Sequence, residues 1–96
     1  LAASNKKLRE IRTKFIEKVS DPTLDKLLLK LRERGVITSN EEEYIRASKL
    51  RSDRARILFD IVDNDNKGKE ASSSLMNSLK EEDEFCFDNL MLSIDQ

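Results

Sequence analysis

The stretch Ser52-Asp53-Arg54-Ala55-Arg56-Ile57-Leu58-Phe59-Asp60-Ile61-Val62 constrains the fold more than any other part of the chain. At about 100° per residue, Ala55, Leu58, Phe59 and Val62 fall in one arc, the apolar stripe of a helix. Ile57 and Ile61 form a second apolar strip on the other side, leaving narrow charged edges with Arg54, Arg56, Asp53 and Asp60. A helix apolar on two sides is either packed between neighbours or carries an exposed patch for a partner. Either way, the other segments have to be arranged around it.

Helical spacing recurs along the whole chain, and one Pro and two Gly supply few strand or turn signals. Ser4 or Asn5 can cap a first helix reaching about Val19, with Leu8, Ile11, Phe15, Ile16 and Val19 on one arc. Arg12 falls inside that arc, so either the helix bends there or Arg12 sits at a binding surface. Ser20-Asp21-Pro22 restarts the chain, an N-cap acid followed by Pro at the first helical position. Leu24, Leu27, Leu28 and Leu31 form the stripe of the second helix, which Gly35 ends. Leu29 points roughly 140° away from that stripe. Val36 and Ile37 plug the turn, and Ser39-Asn40-Glu41-Glu42 reads as a capping box for a short third helix over about Glu41–Ala47, anchored by Tyr44 and Ile45. The fourth helix is the opening stretch. A fifth, about Lys69–Leu79, rests on Ala71, Leu75, Met76 and Leu79. A sixth, about Glu81–Leu90, rests on Phe85, Cys86 and Leu90. The expectation is one all-α domain of six short helices.

Ninety-six residues make one domain with a modest core, and 39% charged residues suit a small helical bundle with solvated outer faces. Net charge is −1, but residues 1–35 hold ten Lys/Arg against five Asp/Glu, and residues 36–96 hold eight against fourteen. Patches of both signs on a nearly neutral domain suit another protein better than a polyanion. The absence of aromatics among the arginines and the acidic second part argue against nucleic acid. No apolar run reaches the roughly 18 residues of a membrane span, no signal-peptide pattern opens the chain, and the lone Cys86 fits a reducing compartment. A cytoplasmic location is expected. The start at Leu1 rather than Met is expected of a piece of a longer protein.

With no His and one Cys, no Cys–His dyad, His-bearing triad or zinc set can be assembled, and no Gly-rich phosphate loop is present. No cofactor or metal is expected, and Cys86 reads as a small core residue. Asp63-x-Asp65-x-Lys67-Gly68 opens like a calcium loop, with acids at positions one and three and Gly at six. Lys67 then occupies ligand position five and Ser74 stands where a bidentate Glu should close the site. It reads as a connector rich in turn-forming Asn and Asp.

Five segments in order carry a family resemblance. They are Leu8-Arg9-Glu10-Ile11-Arg12-Thr13-Lys14-Phe15-Ile16-Glu17; Leu27-Leu28-Leu29-Lys30-Leu31 running to Gly35-Val36-Ile37-Thr38; Asp53 through Val62; Lys67-Gly68; and Glu81-Glu82-Asp83-Glu84-Phe85 to Leu90. Together they resemble a caspase recruitment domain (CARD) of the death-fold superfamily over residues 6–92, with 1–5 as an N-terminal extension. The closing Leu92-Ser93-Ile94-Asp95-Gln96 is most similar to the linker after an inflammatory caspase prodomain, so 93–96 read as its start.

The resemblance implies an antiparallel six-helix bundle with Greek-key topology, a kinked first helix that would account for Arg12, and no catalysis. It also implies homotypic CARD–CARD binding, self-association, and recruitment of a caspase zymogen in inflammatory or apoptotic signalling. The alternative is a CARD-only decoy, or a receptor or adaptor CARD, that regulates such recruitment. Arg12 and Arg56 match basic family positions, Arg54 matches one of the inflammatory caspases, and with Arg51 they make the expected basic surface. Ser52 replaces an Arg of the apoptotic initiator. Leu29 occupies a place where the family often has an interface Asp, which leaves Asp25, Glu33, Glu41, Glu42 and Glu43 as the expected acidic surface. Surfaces of opposite sign on one monomer favour head-to-tail contacts, which build rings or open filaments.

Overall fold

Ser20, Pro22, Gly35 and Gly68 punctuate the chain where the sequence placed its breaks. The computed structural model describes residues 2–64 and 66–94, with side chains from 10 to 64 and from 66 to 92. Six helices follow in order: α1 Ala2–Lys18, α2 Asp21–Glu33, α3 Ser39–Arg46, α4 Arg51–Val62, α5 Lys69–Glu82 and α6 Glu84–Ile94. No strand occurs among the described residues. Leu8, expected in the α1 stripe, and Asp65 of the calcium-like loop lie outside the described side chains, and Asp95 and Gln96 outside the described residues.

Each boundary has a local cause. Ser20 Oγ accepts from the Thr23 N–H at 3.3 Å, and Pro22 sits in the first turn of α2. At the other end the Gly35 N–H donates to Arg32 O and the Val36 N–H to Leu31 O, a Schellman closure that needs Gly35 at φ +74°. The capping box of α3 is shifted by one residue from the expected register. Thr38, not Ser39, accepts from the Glu41 N–H, and Glu41, not Glu42, accepts from the Thr38 N–H. Both registers are present in the sequence, and the one adopted leaves Glu42 to pair with Arg32 and Arg46. At the N-terminus α1 begins at Ala2, upstream of the expected Ser4 or Asn5 cap.

The acidic run Glu81–Glu84 is divided rather than opening the sixth helix. The helix α5 extends to Glu82, and its last turn closes through the Asp83 N–H donating to Leu79 O at 2.7 Å. The Asp83 carboxylate then accepts the Cys86 N–H at 3.1 Å, and its carbonyl accepts the Phe87 N–H. One residue thus ends α5 and caps α6. This phase puts Cys86 and Leu90 in the core with Phe87 packed against it, and turns Phe85 outward at 80% exposure, against the expectation that Phe85 anchors the helix.

Consecutive helices are not always partners. The helix α1 packs on α4 and α6, α2 packs on α3 and α5, and α5 also packs on α4 and α6. Enclosed between them are Phe15, Leu24, Leu27, Leu28, Leu31, Leu58, Leu75 and Leu79, with the Phe15 and Phe59 rings tilted at 5.7 Å. Flanked by α1, α3 and α5, α4 has Ile57 and Ile61 half-buried against the core, so its second strip is packing surface rather than an exposed patch. Tyr44 is 66% exposed and does not anchor α3, whose inward residue is Ile45. A helix of eight residues turns little more than one side chain per turn inward.

Candidate protein-interaction surfaces

The four expected basic residues divide into two pairs. Arg12 Nε donates to Asp60 Oδ1 at 2.8 Å and Nη2 to Oδ2 at 3.2 Å, a fork joining α1 to α4. The inward-leaning position of Arg12 is thus accounted for by a partner on the neighbouring helix. Arg56 reaches Asp53 at 3.0 Å, one turn away. Because Asp53, Arg56 and Asp60 follow at i, i+3 and i+7, Arg12 and Arg56 share one outer α1–α4 face.

Arg51 and Arg54 lie at the α1–α2 turn instead. Arg51 Nη1 donates to Ile16 O at 2.6 Å and Val19 O at 2.9 Å, satisfying carbonyls that the end of α1 leaves open. Arg54 Nη2 donates to Asp21 Oδ1 at 2.8 Å, while its Nε is buried without an acceptor among the described residues. Arg51 thus fastens α4 to the end of α1, and Arg54 fastens it to the start of α2.

The expected acidic residues also separate. Asp25 and Glu42 hold Arg46 between them at 3.0 and 2.9 Å, and Glu42 also accepts from Arg32 at 2.7 Å. This chain of four charges bridges α2 to α3, and Glu42 is only 13% exposed. Glu41 closes the α3 capping box and takes Lys67 Nζ at 2.7 Å. Glu33 and Glu43 are exposed and pair with no described residue, so with Asp25 they carry the outward negative charge of α2–α3.

These contacts set the ionisation. Hydrogen bonds from Arg46 and then Arg32 hold the Glu42 carboxyl below the ordinary glutamate value. Burial pushes Glu41 up, but Lys67 and the Thr38 N–H outweigh it and the carboxyl ends below its ordinary value. Asp60 raises Arg12. Burial raises the Cys86 thiol, which makes it a poor nucleophile.

A third set, between α2 and α5, was not anticipated. Lys30 Nζ sits 2.6 Å from Glu81 and 2.9 Å from Glu82, while Arg34 reaches Ser78 Oγ at 2.8 Å and Glu81 at 3.0 Å. Its signal in the sequence is two basic residues at i and i+4 and two adjacent acids, some fifty positions apart, and nothing local pairs them. Equally unheralded, the Thr23 hydroxyl donates to Asp83 at 2.9 Å, tying the start of α2 to the α5–α6 junction.

Among the described residues no cluster of metal-ligating side chains forms, and no helix is long and apolar enough to cross a membrane. Six packed helices, cross-braced at the surface by ion pairs, define a small helical bundle. The sequence model of the caspase recruitment domain family matches residues 5–93, nearly the whole chain, and the chain belongs to that family. No curated protein and no solved structure shows significant similarity to it. As a CARD, it is a non-catalytic domain of the all-α death fold that binds other CARD-containing proteins.

Proposed function

We propose that this CARD self-associates and, with other CARDs, builds signalling oligomers or filaments in the cytoplasm that recruit a caspase zymogen in inflammatory or apoptotic signalling. Such an array would concentrate attached effectors so that neighbouring copies activate one another. The observation that supports this reading is the separation of arginines and acids on two faces: Arg12 and Arg56, each paired to an aspartate of α4, on α1–α4, and unpaired Glu33 and Glu43, with Asp25 beside Arg46, on α2–α3. One monomer can then offer its basic face to one neighbour and its acidic face to another, a contact that does not close on itself. Each contact is small, so affinity comes from several per subunit. The closing residues 92–96 resemble the linker that follows an inflammatory caspase prodomain, which supports that subfamily.

The test is light scattering across concentration and salt, with negative-stain microscopy of whatever grows. Wild-type assemblies that dissolve as salt rises, and a loss of assembly in Arg56→Glu with unchanged circular dichroism, are expected. Assembly of Arg56→Glu and Arg12→Glu at the wild-type concentration would overturn the assignment of this face.

A further inference from the structure

Tyr44 is the only tyrosine in the chain, and it projects from α3 at 66% exposure with its hydroxyl bonded to no described residue. Glu41, Glu42 and Glu43 stand directly before it. In the folded helix two of them are occupied: Glu41 by the Thr38 N–H and Lys67, and Glu42 by Arg32 and Arg46. Glu43 is exposed and pairs with no described residue. An exposed phenol thus follows an unbroken anionic run.

The helix that carries this run can open by itself. At eight residues α3 is the shortest of the six, and Ile45 is its one buried residue. Non-helical segments flank it at 34–38 and 47–50. Apart from Ile45 it is held by its capping box and by surface ion pairs, each individually weak. Opening such a segment costs much less than unfolding the core beneath it. In the opened segment the chain around Tyr44 extends, and all three glutamates are released on its N-terminal side.

We propose that Tyr44 is a phosphorylation site, the acceptor for an ATP-dependent protein tyrosine kinase with a cationic substrate groove. Tyr44 Oη attacks the γ-phosphorus of ATP, and the bond from that phosphorus to the β–γ bridging oxygen breaks. ADP leaves, and the phenolic proton passes to the catalytic carboxylate of the kinase. The three glutamates supply the charge complementary to the groove. The product carries about −1.5 to −2 charge in the last turn of α3, beside Glu43 and one turn from Glu41. The helix dipole at that end and the neighbouring carboxylates both oppose it, so the phosphate shifts α3 toward its open state. This inference goes beyond CARD binding and does not depend on self-association.

The test exposes the wild type, Glu43→Lys and Thr38→Ala to a tyrosine-kinase catalytic domain active on glutamate–tyrosine copolymer, with ATP and magnesium. Mass spectrometry follows incorporation at Tyr44. Glu43→Lys, which disturbs no contact of the fold, should be labelled at least about threefold more slowly than the wild type. Thr38→Ala should be labelled about fivefold faster, because losing one cap raises the open population of α3 by that factor. In the phosphorylated wild type, amide exchange across 39–46 should quicken by about fivefold and return to its first rate after phosphatase treatment. A wild type left unlabelled overturns the inference, whether or not an isolated peptide of residues 38–50 is labelled. Equal labelling of Glu43→Lys and the wild type overturns recognition through the acidic run. Equal labelling of Thr38→Ala, or unchanged exchange after phosphorylation, overturns the opening of α3. Each of these readouts is independent of the assembly assay, so either result leaves the proposed function standing or falling on its own.

Discussion

Leu28 and Leu29 are adjacent and chemically identical, and the fold gives them opposite roles. Leu28 is fully buried beneath α2, whereas Leu29 is more than half exposed. Truncating Leu28 to Ala removes packed atoms and leaves a cavity, so a loss of about 2–5 kcal/mol is expected from urea unfolding of Leu28→Ala. The same change at Leu29 should stay within about 0.5 kcal/mol, since water already covers much of that side chain. Arg12 and Arg51 contrast in the same way. The largely exposed pair of Arg12 with Asp60 contributes at most about 1 kcal/mol to folding. Arg51 donates to two backbone carbonyls within the fold, so Arg51→Ala should lower the melting temperature more than Arg12→Ala does.

Helix ends decide which face each element turns inward. Thr38 and Glu41 satisfy each other's backbone N–H groups at the start of α3, the shortest helix. Thr38→Ala should cost about 1 kcal/mol, with amide exchange accelerated across 39–46 before the other helices. Asp83 acts on three elements through the Leu79 carbonyl, the Cys86 N–H and the Thr23 hydroxyl. Asp83→Ala should therefore cost more than an isolated cap, about 1–3 kcal/mol by urea denaturation, and Asp83→Asn should recover part of it. By setting the phase of α6, Asp83 also decides that Phe85 is exposed while Phe87 packs and receives Lys80 above its ring at 5.6 Å.

At the scale of the molecule, α2 is held on both flanks by ion pairs, to α3 through Asp25 and Arg32 and to α5 through Lys30 and Arg34. Two glutamates in these clusters, Glu42 and Glu81, are held below the ordinary value of 4.5, as is Glu41. A carboxylate whose folded pKa is depressed contributes stability above its unfolded pKa, and that contribution is lost as pH falls through the folded value. The urea midpoint should accordingly stay level from neutral pH down to about pH 5 and then decline progressively. Added salt should diminish the decline, because these pairs are largely at the surface. If Glu42→Gln and Glu81→Gln left the acid limb unchanged, the charges bridging α2 would not be its source.

What the sequence determined by itself was periodicity and punctuation. Apolar residues three and four apart defined six helices, and Ser20-Asp21-Pro22, Gly35 and Gly68 placed their breaks, since the steric and hydrogen-bonding causes of those breaks act within a few residues. The resemblance carried by five ordered segments was sufficient for the family. Tertiary structure alone decided how charges were partnered. Arg12 meets Asp60 forty-eight positions away, Lys30 meets Glu81 fifty-one away, and Thr23 meets Asp83 sixty away. No local rule predicts such pairs, because they exist only once burial of the common core has brought the helices together. The candidate surface was legible as a set of residue types but not as a geometry. Arg51 and Arg54 became fasteners at the α1–α2 turn, Glu41 and Glu42 became braces of α3, and Leu29 was left facing water because the opposite side of α2 had already met the core.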